Sequence, residues 1–88
     1  MKYQLLEHVS LTNVDGEAIL LDLNEGFYFG LNHVGALYLN LITQNITHDQ
    51  AVIDIAQRYA IDYNRVKDDI NELTKQLMEQ NLLQTVTE

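Results

Sequence analysis

The 88-residue chain contains no cysteine, no proline and no tryptophan, and it carries only five lysine or arginine residues. Without cysteine it has neither disulfides nor thiolate chemistry. Without proline, low-complexity tracts or internal repeats, nothing marks a linker, and residues 1–88 read as one domain. No apolar run approaches the roughly 20 residues of a membrane span. Residues 1–8 hold one Lys and one Glu, unlike the basic-then-apolar start of a signal peptide, so a cytoplasmic location and no membrane partner are expected. Basic residues are outnumbered by 13 acidic ones, for a net charge of −8. That charge repels a phosphate backbone and argues against a nucleic-acid partner.

What is present is a hydrophobic fraction of 47%, enough for a core, in two kinds of pattern. The first third alternates. Residues 8–14 are rich in β-branched side chains and predict a strand. Asp15-Gly16 is a two-residue hairpin signal. Residues 17–23 predict a second strand, with Ile19, Leu21 and Leu23 on one face and Ala18, Leu20 and Asp22 on the other, one face covered and one partly wet. Asn24-Glu25-Gly26 forms a second tight turn. Residues 27–31 are a short aromatic third strand.

The rest has helical periodicity. A helix over 33–43 follows the N-cap Asn32, with Val34, Leu37, Tyr38 and Leu41 at i, i+3, i+4, i+7. A helix over 48–59 follows Thr47, with Gln50 completing a capping-box pattern and Val52, Ile55, Ala56 and Tyr59 in register. A third helix over 63–82 follows Asp62 and buries Val66, Ile70, Leu73 and Leu77, with Leu82 extending the stripe. The tail from Gln84 is polar and expected to fray. Three strands followed by three helices, without strand–helix–strand alternation, give an α+β domain with a small antiparallel sheet against a helical bundle.

Catalytic constellations are missing. His8, His33 and His48 do not converge at ligand spacing, so no metal is expected, and surface or capping roles account for them. Asp68, Asp69 and Glu72 have Arg65 and Lys75 at helical spacing, an ordinary charged face, although Asp69 borders the buried stripe and is a candidate ligand contact. Ser10 is the only serine. It lies in a strand with no His or Asp at suggestive spacing, which also removes the attachment site an acyl or peptidyl carrier needs. No Gly-rich phosphate loop is present. No cofactor and no enzymatic activity are expected.

The stretch LLDLNEGFYFGLN, residues 20–32, points elsewhere. The third strand is the last strand of the sequence, so it forms a sheet edge with unpaired N–H and C=O groups, open to an extended peptide. Alternation sends Phe27, Phe29 and Leu31 to the helix side and Tyr28 to the other.

These features occur in a recognisable order. They are the strand ending LLDL, the turn at Gly26, the strand running into Leu31-Asn32, Gly35-Ala36 in the next helix, and Ala56-Gln57-Arg58-Tyr59. Val66, Asp69-Ile70, Leu73, Leu77 and Asn81-Leu82-Leu83 complete it. Over residues 8–83 the chain resembles the PqqD-like family of pyrroloquinoline quinone biosynthesis protein D. That resemblance implies a winged helix-turn-helix-like fold, a three-stranded antiparallel sheet followed by three helices. It implies a recognition element that binds the leader of a ribosomally made, post-translationally modified peptide. The leader would add as a strand beside the third strand and be presented to a leader peptidase or other modifying enzyme. The signature looks most like the small stand-alone proteins of lasso-peptide pathways. Carried onto this chain, the peptide-binding residues are Phe27, Tyr28, Phe29, Gly30 and Leu31 with Val66, Asp69, Ile70, Leu73 and Leu77, and with Lys67 and Thr74 on one flank. Many members have Gly where this chain has Asn81, a residue that also tolerates a left-handed cap. The oligomeric state expected is a monomer or a weak dimer through the edge. The alternative, a winged helix-turn-helix DNA-binding regulator, conflicts with a third helix whose Arg65, Lys67 and Lys75 face Asp68, Asp69, Glu72 and Glu79.

Overall fold

The structure is a computed structural model, and it describes residues 2–86. The elements are β1 (Lys2–Leu5), β2 (Val9–Val14), β3 (Glu17–Asp22), β4 (Tyr28–Leu31), α1 (His33–Ile42), α2 (His48–Tyr59), α3 (Tyr63–Glu79) and β5 (Leu83–Val86). The expected sheet is the antiparallel β2-β3-β4, with β3 in the middle. Its strands begin or end one residue inside the expected limits, and the three helices occur in the expected order.

Two strands lie outside the expected set. β1 and β5 form a separate antiparallel ribbon, from Lys2 opposite Val86 to Leu5 opposite Leu83. The tail is therefore paired through Val86 rather than frayed from Gln84. Thr87 and Glu88, also within that expectation, lie outside the described residues. A pair made from the two ends of the chain carries no hairpin signal, and each half is too short to show periodicity.

The third helix stops at Glu79, short of the expected residue 82. Asn81 turns left-handed at φ 60°, and the Leu82 N–H donates back to the Leu77 carbonyl at 2.9 Å. This is the Schellman arrangement. Asn45 and Ala60 take the same conformation (φ 67° and 52°), with Ile46 bonded back to Leu41 and Ile61 to Ala56. None of the three positions is a glycine. The N-caps behave as read: Asn32, Thr47 and Asp62 accept from backbone N–H groups of the first turn. The capping box is half made, because the Gln50 side chain bonds Asp54 instead of returning to Thr47.

The β2–β3 turn has positive φ at Asp15 (51°) and Gly16 (81°), as a type I′ hairpin requires. Its tip sits on the start of α1: the His33 Nδ1–H donates to the Gly16 carbonyl at 2.9 Å, and a Cβ on Gly16 would fall 2.8 Å from that nitrogen. The helix-facing side of β3 is Ala18, Leu20 and Asp22, all buried, while Ile19 and Leu23 are exposed on the other side. The core joins Leu20 and Leu31 to Tyr38, Leu39, Ile55, Ile70, Leu77 and Leu82.

His48 is a correction to the surface or capping role. It is buried, and its Nε2–H donates to Asn71 Oδ1 at 3.0 Å. A side-chain amide oxygen only accepts, so Nδ1 is the unprotonated nitrogen and accepts the Tyr38 hydroxyl at 2.7 Å. Tyr3 packs edge-on against the same ring, tying β1 to α1 and α2.

Candidate functional site

Asp22 starts the site. Its buried carboxylate accepts the N–H groups of Asn24 and Glu25 at 2.9 Å each, and lies 3.6 Å from His8 Nε2. The Asp22 carbonyl accepts the N–H of Gly26, which is left-handed at φ 74°. This turn folds β4 back along β3, where Leu20 pairs with Phe29 and Ala18 with Leu31.

The register fixes which β4 groups are free. The Asp22 N–H donates to the Phe27 carbonyl at 2.9 Å. Antiparallel pairing alternates bonded and non-bonded positions. Phe29 and Leu31 therefore turn their amide groups toward β3, whereas Tyr28 and Gly30 turn theirs away. β4 pairs only with β3, so the edge presents the N–H and C=O of Tyr28 and Gly30 to the outside.

A groove of about 490 Å³ runs beside this edge. One wall is Phe29, Gly30 and Leu31; the other is Arg65, Val66, Asp69, Ile70, Leu73 and Gln76 of α3, with Ile61 just before it. The floor is Val34 and Gly35 of α1. Gly35 is closely packed there: a Cβ would stand 3.1 Å from Leu31 Cδ2 and 3.3 Å from Leu73 Cδ2, so both leucines would have to give way slightly. A larger residue would push these two walls into the channel. At Gly30 an added Cβ meets nothing within 4 Å, so the outer face of the sheet is open beside the edge at this position.

The structure therefore brings together Phe29, Gly30, Leu31, Val66, Asp69, Ile70 and Leu73 from the predicted set. Of the other five, Tyr28 contributes its backbone to the edge while its side chain lies outside the groove, and the remaining four are set apart from it. Tyr28 is 70% exposed on the outer face of the sheet, opposite Leu21. Phe27 lies beside His8 and Asp22 at the far end of β4. Leu77 is in the core with no exposure. Thr74 is buried, donates to the Asn71 carbonyl, and faces the Tyr3 side of the molecule. Lys67 is exposed away from the groove. At about 100° per residue, Thr74 and Lys67 fall beyond the arc running from Arg65 to Ile70, so that arc is the flank turned to β4.

Asn32, Val34, Gly35, Ile61, Arg65 and Gln76 also line the groove and were not among the predicted residues. Arg65 and Gln76 had a signal: both lie on the helical face of Asp69 and Leu73. Val34 and Gly35 had none, since their place depends on how α1 crosses beneath the edge.

The site has no converging metal ligands: no group of three or more His, Asp or Glu is close enough for an ion among the described residues. No helix among them is long and apolar enough to cross a membrane.

Residues 17–83 match the family described as coenzyme PQQ synthesis protein D (PqqD). Among solved structures, the chain is similar to TbiB1 in complex with the TbiA(beta) leader peptide. The two are 27% identical with a TM-score of 0.86, over 97% of this chain and 99% of that one. It also shares its fold with a lasso peptide synthetase B1 complexed with the leader peptide, at 21% identity and a TM-score of 0.86, over 97% of this chain and 100% of the other. No curated protein matches in sequence.

Proposed function

We propose that this chain, which belongs to the PqqD family, is a non-catalytic adaptor that binds the leader of a precursor peptide as an added strand on β4. It presents that leader to a leader peptidase or other modifying enzyme, in a pathway making a lasso peptide or a related modified peptide. The carrying observation is the unpaired edge at Tyr28 and Gly30 beside a groove of mixed polar and apolar lining. The likeness to TbiB1, a protein of the same size and fold solved with a leader peptide, supports the reading.

Each half of the site has a task. Backbone pairing to Tyr28 and Gly30 sets the register and direction of the peptide. Apolar side chains packing on the partly exposed Phe29, Val34, Ile61 and Leu73 supply most of the affinity by leaving water. A free leader is disordered, and ordering it offsets much of that gain, so the affinity expected is roughly micromolar. A binding rather than a catalytic role is supported by a groove whose charged lining, among the described residues, is one arginine and one aspartate.

The test is a titration of a labelled candidate leader, with a scrambled peptide as control, against the wild type and Gly30→Pro. Proline removes the outward N–H of Gly30. That N–H makes no bond to β3, so the fold is expected to survive. Leader affinity is expected to fall about tenfold or more, the loss of one well-formed backbone bond and its neighbours. Equal affinity in a folded Gly30→Pro protein contradicts strand addition.

A further inference from the structure

Arg65, Asp69 and Leu73 form one row along the groove side of α3, four residues apart. Among the described residues, Arg65 and Asp69 are the only charged ones lining the groove. Both are exposed. Neither side chain makes an ion pair or hydrogen bond among the described residues; Arg65 is tied to Asp62 through its backbone N–H alone. Two opposite charges one helical turn apart thus stand unpaired along the groove. Arginine preceding the acid is the less favourable order for pairing within a helix.

The spacing matches an extended chain. Successive residues of the row are about 6 Å apart along the helix axis, at 1.5 Å per residue. Same-face residues of a strand recur about every 6.6 Å. A strand lying between β4 and α3 and running along the helix axis would place consecutive groove-facing side chains, at i, i+2 and i+4, opposite consecutive members of the row. The intervening side chains point to the outer face of the sheet with Tyr28.

We propose that the groove selects an extended peptide segment with an acidic residue opposite Arg65, a basic residue opposite Asp69 and an apolar residue opposite Leu73. These are spaced two apart along the peptide, an acid-x-base-x-apolar pattern or its reverse according to strand direction. The selection rests on strand addition at β4 and adds a charge rule to it. On a chain of net charge −8 with five basic residues, a free arginine at the groove is the one local feature that favours a carboxylate there. Exposed charges contribute little to affinity and more to discrimination, because the wrong sign is repelled by Asp69 and left unpaired at Arg65.

The test is a display selection of random 15-residue linear peptides against the full chain, counter-selected on Gly30→Pro to retain edge-dependent binders. Parallel selections use Arg65→Glu, Arg65→Gln and Asp69→Lys, all at exposed positions outside the core. The wild type is expected to enrich acid and base two residues apart with an apolar residue two beyond. Arg65→Glu is expected to replace the acid by Lys or Arg at that position alone, and Arg65→Gln to erase the preference there. Wild-type winners are expected to bind Arg65→Glu about tenfold more weakly in low salt, the scale of a close charge contact reversed. Edge-dependent peptides without charge preference, or with one that Arg65→Glu leaves unchanged, overturn the charge rule and leave strand addition standing. A selection yielding no Gly30-dependent binder overturns both.

Discussion

Tyr38 is fully buried, with its hydroxyl on His48 Nδ1. Burial and the neighbouring Tyr3 raise its pKa well above the ordinary 10.0. In the unfolded chain this hydroxyl ionises near the ordinary value, while in the folded chain it stays protonated. Stability from this group is therefore complete below about pH 10 and is lost as pH climbs from there toward the raised value. Tyr38→Phe leaves His48 Nδ1 without its donor, so a loss of about 1–2 kcal/mol is expected at pH 7. Chemical denaturation from pH 7 to 11 checks both points, since the variant should also show a shallower alkaline decline than the wild type. At the same scale, Leu73 is half-buried between α3 and the groove, and Gly35 is pressed against it. Leu73→Asp puts a second carboxylate one turn from Asp69 and removes apolar wall. Peptide affinity is expected to drop more than tenfold in a calorimetric titration, over 1.4 kcal/mol, with the helical circular-dichroism signal retained.

The helices show a preference at the level of elements. All three end through a left-handed residue, and at α2 that residue is Ala60. Alanine pays a steric cost there that glycine avoids. Ala60→Gly is expected to stabilise the protein by about 0.5–1 kcal/mol in urea unfolding, the opposite of its effect inside a helix. The end of α2 at Tyr59 falls where the periodicity stops, as expected, but its left-handed turn at Ala60 was not readable from the sequence, because no Gly or Asn marks it. The starts at Asn32, Thr47 and Asp62 were readable, because capping chemistry is local. The same division runs through the sheet. The β2–β3–β4 hairpins announce themselves through Asp15-Gly16 and Gly26, whereas β1 and β5 meet across the whole length of the chain and leave no local trace. Of the residues that line the groove, those on β4 and several on α3 were in the set the resemblance implied. The flank of α3 that lines the groove was not legible, because Val66, Ile70, Thr74 and Leu77 are all buried and the hydrophobic stripe alone does not say which of its borders meets a groove.

At the scale of the molecule, the sheet has two edge strands, β2 and β4, and only β4 stands against a helix-lined channel. The winged helix-turn-helix order leaves α3 beside that channel rather than projecting a basic face, and its acidic balance suits a peptide better than a phosphate backbone. Strand addition and groove filling then act on one segment of partner, one through backbone and the other through side chains. Hydrogen exchange resolved to single amides, with and without a saturating candidate leader, tests this most directly. The account predicts that the amides of Tyr28 and Gly30 become protected on binding, while those of Phe29 and Leu31, already bonded to β3, change little. Protection that misses Tyr28 and Gly30, or that appears instead along β2, would contradict it.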